Sequence, residues 1–470
     1  MGVGVPDTDG LEFISAVDAL TAFAARELSP VELMDAVLAV EDSDGALTQR
    51  YADEPRAAAL DAEASWAAGT ARALEGLPVA VKEDKGVTGK PTSAGSQVFA
   101  DSIAGGDAPP VAAMRAAGGI FHARTNVPDM GSAGITGSLR YPPTKNPYNP
   151  EFNSLGSSGG AAAALAKGLT TLANASDYCG SIRLPAAACG VVGFKPSRGR
   201  NAVGAYFNLD WYDHDGAMGR SVADCAVLQN AMAGQQASDL FSRNDWAPVT
   251  AEPVDPSSLR VAVSVDLGYA AVDPEIAAAT RALGARLEAV GAQVDEVDIG
   301  WTDEVLWAYR KHAAVIMGAW MLPYLESDRD ILTPYAIAVA ETAQQVTPSE
   351  FVRSMEIETE MWTQLAPVMS EHNALICPTA GVASVPLDFD PAGPDVDVGG
   401  RPVASDYGWM MTYPFNMLSA MPVLNVPSGV AASGVPIGAQ LVGRPFDDHG
   451  VFALGTLVEQ LSPRIGTFGP

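Results

Sequence analysis

Residues 76–84, Gly76-Leu77-Pro78-Val79-Ala80-Val81-Lys82-Glu83-Asp84, carry the pattern from which the fold is read. Leu77 to Val81 is an apolar run of strand length that passes without a break into Lys82. A lysine at the end of a buried strand is unusual, because an ammonium group costs free energy to desolvate. Upstream, an Ala-rich helix is predicted over about Glu54 to Leu74. Two amphipathic helices precede it, the second opening on Ser29-Pro30-Val31-Glu32. There Ser29 can cap, Pro30 fits the first helical position and Glu32 can reach back. Downstream, a helix over Val111 to Ala117, a Gly118-Gly119 stop and a strand over Ile120 to Arg124 repeat the rhythm. It continues with strand-like Thr170 to Ala175, and with a unit of Leu259 to Val265, Pro274 to Val290 and Ala292 to Val297. An aromatic-rich helical region over about 301–372 follows, then strands at Ala374 to Ile376 and Val423 to Val426. Alternating helices and strands make this an α/β protein. It is expected to be one large domain over 1–470, with N-terminal helices to about residue 75, a core over 76–225, and a C-terminal α/β part over 226–470 whose helical cap covers about 301–372.

The chain has 470 residues and a net charge of −28, from 28 Lys+Arg against 56 Asp+Glu. Nucleic acid and anionic membranes would approach against that field, so neither is an expected partner. With 48% hydrophobic and 18% charged residues the chain can bury a core, which excludes global disorder. Met1 to Phe13 has neither a basic nor an apolar signal-peptide region. The apolar window Ala313 to Leu325, broken by Gly318 and Pro323, is short for a membrane helix and reads as core or pocket wall. The four cysteines, Cys179, Cys189, Cys225 and Cys377, show no C-x-x-C spacing. A cytoplasmic location is expected.

For chemistry, Lys82 is a candidate base, since desolvation favours its neutral form. Gly156-Ser157-Ser158-Gly159-Gly160 and Tyr178-Cys179-Gly180-Ser181 are serine loops whose backbone N–H groups can serve an oxyanion. Each feature also fits an ordinary role: a flexible glycine loop, a lysine reaching to solvent. The histidines His122, His214, His312, His372 and His449 form no i, i+4 metal-ligand pair, so no metal site is expected. Gly156 to Gly160 also satisfies G-x-S-x-G with Ser158 as nucleophile, although the polar, Pro-containing Asn149 to Ser154 is a poor strand to lead into such an elbow.

The separated blocks Gly76 to Asp84, Thr125-Asn126, Asn146 to Pro150, Gly156 to Gly160, Asp177 to Arg183, Cys189 to Pro196, Arg220 to Asp224, Cys377-Pro378-Thr379 and Gly434 to Gln440, in this order, resemble the amidase signature family over nearly the whole length. The resemblance implies a central mixed, twisted β-sheet covered by helices on both faces. It also implies a Ser-cisSer-Lys triad, with Ser181 as nucleophile, Ser157 as relay and Lys82 as base, and no cofactor. The N–H groups of Tyr178, Cys179, Gly180 and Ser181 would form the oxyanion hole. Cys179 departs from the family's Gly-Gly-Ser and adds bulk there; a catalytic thiol is the alternative reading, for which no base is placed. Asp177 and Arg183 are expected to orient the loop.

Three aromatic groups, Tyr206 to Tyr212, Trp301 to Tyr324 and Tyr407 to Phe415, are expected around an apolar funnel or within an ordinary core. Met130, Gly131, Tyr206, Phe207, Trp211 and Phe415 are the candidate substrate contacts. The expected function is hydrolysis of small apolar or aryl amides, with ester and carbamate turnover, by a monomer or homodimer. The alternatives are a glutamine-dependent amidotransferase subunit working with a partner, and an inactive amidase-like binding protein.

Overall fold

In the computed structural model, which describes residues 10–204 and 207–462, the run that ends in Lys82 is a fully buried strand, Pro78–Lys82. In chain order the strands are β1 (Leu47–Arg50), β2 (Pro78–Lys82), β3 (Ile120–Thr125), β4 (Leu172–Asp177), β5 (Val192–Lys195), β6 (His214–Gly219) and β7 (Arg260–Val263). They continue with β8 (Gln293–Glu296), β9 (Ala374–Pro378), β10 (Val396–Val398), β11 (Arg401–Val403), β12 (Val423–Val430) and β13 (Pro436–Gly443). Apart from the β10–β11 hairpin, they form one sheet in the order β1-β3-β2-β4-β6-β5-β12-β13-β9-β7-β8. The sheet is mixed. β2 runs parallel to β3 and β4, and β7 parallel to β8 and β9, whereas β4–β6–β5 and β12–β13–β9 pair antiparallel. Helices cover both faces, as the resemblance implies.

Local signals explain much of this. Ser29 and Glu32 form the reciprocal capping box of the helix Pro30–Ala39. The Ala-rich helix spans Asp53–Ala68 and stops before the predicted Leu74, because Gly69 takes the left-handed conformation (φ 72°) that ends helices. The region 301–372 forms the helices Glu304–Ala313, Ala319–Ser327, Pro334–Ala343 and Pro348–Glu371. A π-helical turn over Ala314–Gly318 joins the first two. Packed on the sheet, these helices enclose a core that includes Tyr178, Tyr212, Trp301, Tyr309 and Met321. The opposite sheet face buries Phe23, Phe194 and Phe452 under other helices.

Strand β6 escapes sequence reading. His214-Asp215-Gly216-Ala217-Met218-Gly219 has no β-branched residue and no alternation, yet all six residues are buried at the centre of the sheet. A Cβ on Gly216 would lie 2.1 Å from the Phe194 carbonyl oxygen and 2.7 Å from Ile182 Cδ1. The close approach of β5 therefore needs glycine. Gly216→Ala is expected to lower stability by about 1–3 kcal/mol through overpacking, read as a shift in urea midpoint at unchanged slope.

Candidate active site

β2 delivers Lys82 into the interior, and its neighbours determine what that lysine can do. The Lys82 backbone N–H donates to Asn174 Oδ1 on β4 at 3.0 Å, which locks the strand end. The ammonium nitrogen, on a side chain 1% exposed, lies 2.8 Å from Ser157 Oγ, 2.8 Å from Ser176 Oγ and 3.3 Å from Asp84 Oδ2. Burial pushes its pKa below the ordinary lysine value, opposed by Asp84. Three residues on, Lys85 behaves oppositely. Burial also works against its charge, but Asp215 Oδ1 at 2.9 Å, with Asp84 and Asp213, holds its pKa above the ordinary value. Two lysines three residues apart are thus shifted in opposite directions, Lys82 down by burial and Lys85 up by its carboxylates.

Gly156 to Gly160 is a tightly packed turn. Added Cβ atoms would lie 2.1 Å from Ile135 O at Gly156 and 2.2 Å from Asn126 N at Gly160. The Gly156–Ser157 peptide is cis. Gly159 opens a buried helix, Gly159–Ala166. Ser158, the N-cap residue of this helix, makes no side-chain capping bond; its Oγ donates to the Ser176 carbonyl at 3.4 Å, while its N–H donates to Ser181 O at 3.1 Å.

The turn after β4 carries Ser181. Asp177 and Arg183, both fully buried, pair at 2.8 Å, and Asp177 also accepts from Gly180 N–H at 2.8 Å and Ile182 N–H at 3.2 Å. Burial alone would raise the Asp177 pKa, but Arg183 and Asn416 outweigh it and hold the carboxylate charged. Arg183 further donates to Thr412 O, Gln440 Oε1 and Asn416 Oδ1, which ties the turn to C-terminal segments. The Gly180 N–H, one of the four expected oxyanion donors, is thus hydrogen-bonded within the turn. At φ 119°, a Cβ there would also meet Thr412 Oγ1 at 2.0 Å. Cys179 Sγ packs 4.0 Å from Met410 Sδ. Burial pushes its thiol up to about 12, so it is protonated at neutral pH and is no ready nucleophile.

Lys82, Ser157, Ser176 and Ser181 line one chamber of about 480 Å³. Its wall includes Phe99, Met130, Gly131, Phe207, Met317, Trp320 and Tyr324, and its polar end Asp84, Lys85 and Asp213. Phe99 meets Tyr324 edge-on at 5.1 Å, and Phe207 meets Trp320 likewise at 5.6 Å. Of the expected substrate contacts, Met130, Gly131 and Phe207 line the chamber, and Tyr206 lies outside the described residues. Trp211 and Phe415 are corrections. Trp211 turns into the cap, donating to Glu358 Oε2 at 3.1 Å, and Phe415 is fully buried against Trp301. Sequence reading did not single out Ser176, Lys85, Asp213 or Phe99. Ser176 and Lys85 stand beside motif residues, whereas Phe99 has no local signal at all.

A family model described as Amidase matches residues 32–452. The chain belongs to the amidase signature family. It is an amide-hydrolysing enzyme. Over 476 residues this amidase is 34% identical to an acylamidase of Rhodococcus erythropolis, covering 96% of each chain. It is 28% identical to a glutamyl-tRNA(Gln) amidotransferase subunit of Roseiflexus sp. (strain RS-1), over 96% of this chain and 97% of that one. Its fold is similar to that of a bacterial aryl acylamidase, with a TM-score of 0.89 at 24% identity over 96% of both chains. Among the described residues no helix is long and apolar enough to cross a membrane.

Replacing Arg183 by Met leaves the Asp177 carboxylate buried and unpaired. The expected cost is about 3–5 kcal/mol of stability, checked by urea unfolding.

Proposed function

We propose that this amidase hydrolyses small apolar and aryl amides through an acyl-enzyme on Ser181, with Ser157 as relay and Lys82 as base. The observation that carries the reading is the 2.8 Å contact between Lys82 Nζ and Ser157 Oγ in the chamber that also exposes Ser181. In this scheme neutral Lys82 takes the Ser157 proton as Ser157 takes that of Ser181, whose Oγ attacks the amide carbon. The N–H groups of Tyr178, Cys179 and Ser181 receive the developing oxyanion, each such donor contributing on the order of 10²–10³ in rate. As the C–N bond breaks, the departing nitrogen takes a proton from Ser157, which is resupplied by Lys82. Water then enters, is deprotonated by the same relay, and releases the acid. Ester and carbamate carbonyls fit the same scheme.

The aromatic wall of Phe99, Phe207, Trp320 and Tyr324 favours an aryl group over a glutamine side chain, and the likeness to the R. erythropolis acylamidase supports amide hydrolysis. The amidotransferase alternative would instead give glutaminase activity and depend on a partner.

Purified enzyme is expected to turn over p-nitroacetanilide, with kcat reduced at least about 10³-fold by Lys82→Ala, Ser157→Ala or Ser181→Ala and little further by combining them, because the three act as one unit. Full activity in Ser157→Ala would remove it as relay.

Since only unprotonated Lys82 can accept a proton, and its neutral fraction grows as pH passes its lowered pKa, kcat/KM is expected to rise from acidic toward alkaline pH. A pH–rate profile with an acidic optimum would remove Lys82 as base.

A further inference from the structure

Ser181 stands at the boundary of two cavities. Beside the chamber lies a small recess of about 20 Å³, lined by Ala133, Gly134, Cys179, Leu184, Tyr309, Tyr407 and Met410 among others. Gly131, Tyr178, Ser181 and Met317 line both spaces. Lys82 and Ser157 line only the chamber. This asymmetry orients a substrate. A general acid must lie within hydrogen-bond reach of the atom it protonates. The nitrogen that leaves must therefore face Ser157, on the chamber side, and the other substituent of the tetrahedral carbon points to the recess.

We infer, resting on the proposed Ser181 acyl-enzyme, that the recess is the acyl subsite and that it restricts this amidase to short acyl groups, acetyl and propionyl, while the chamber takes a large amine. A cavity of this size holds about one or two heavy atoms. Its boundary is set by side chains that have little room to move. Cys179 occupies the position where the family places glycine, and its sulfur rests on Met410. Tyr309 and Tyr407 meet edge to face at 5.1 Å and close the sides. A Cβ on Gly134 would lie 2.1 Å from Met410 Cε, so the methionine already fills the space to the backbone. The wall is apolar, with the Cys179 thiol held protonated by burial, so a charged or strongly hydrated acyl chain is excluded as well.

The test is two series of substrates on the wild-type enzyme and on Met410→Ala and Cys179→Ala. One series keeps p-nitroaniline and lengthens the acyl group from acetyl through propionyl and butyryl to hexanoyl. The other keeps acetyl and enlarges the aryl amine. Wild-type kcat/KM is expected to fall about tenfold or more per methylene beyond propionyl, and to change only about threefold across the amines. Either variant should raise the butyryl-to-acetyl ratio of kcat/KM about tenfold. Equal turnover of acetyl and hexanoyl anilides by wild-type enzyme would overturn the assignment, as would a size limit on the amine instead of the acyl group. These outcomes need no variant to fold. Absence of turnover of every anilide by folded wild-type enzyme would instead reject the Ser181 acyl-enzyme reading, and the subsite with it.

Discussion

The buried Asp177–Arg183 ion pair is the constraint on which the rest of this site depends. Two charges removed from water are tolerable only if each remaining lone pair and N–H finds a partner. Here they do: Asp177 accepts from Gly180, Ile182, Arg183 and Asn416, and Arg183 reaches Thr412, Gln440 and Asn416. The pair thereby fixes the backbone of the Ser181 turn and fastens it to β13 and to the short helix Pro414–Met417. It also engages the Gly180 N–H, which donates to Asp177 Oδ1 at 2.8 Å.

The second organising feature is the contrast between Lys82 and Lys85. Both are withdrawn from water by the same strand end, and the placement of carboxylates separates them. Lys85 has Asp215 at 2.9 Å and remains a cation. Lys82 has two serine hydroxyls at 2.8 Å and a more distant Asp84, so burial prevails and lowers its pKa. Asp215 arrives on β6, the strand whose glycine permits close approach to β5. Sheet packing and proton chemistry meet in that one strand.

Several of these features were legible in sequence because they are local. The apolar run into Lys82, the capping box at Ser29 and the helix–strand alternation depend on residues a few positions apart. Gly156 to Gly160 was visible as a motif, but its choice between flexible loop and packed turn rested on Ile135 and Asn126, which are remote in sequence from the loop. β6 carried no β pattern because its burial comes from neighbours on both sides. The aromatic groups misled in part: proximity in sequence placed Trp211 beside Phe207, yet the chain turns between them and sends one ring into the cap and the other to the chamber wall.

The sequence by itself determined the α/β class, through periodicity, and the family, through short blocks in a set order, and that resemblance singled out Lys82, Ser157 and Ser181 as candidates. Only the tertiary structure decided which N–H groups remain available around Ser181, which lysine is held charged, and that Ser181 divides a wide aromatic chamber from a narrow apolar recess. Hydrogen-bond commitment, desolvation and cavity shape are properties of groups that meet across the fold, and their separation along the chain hides them from any local reading.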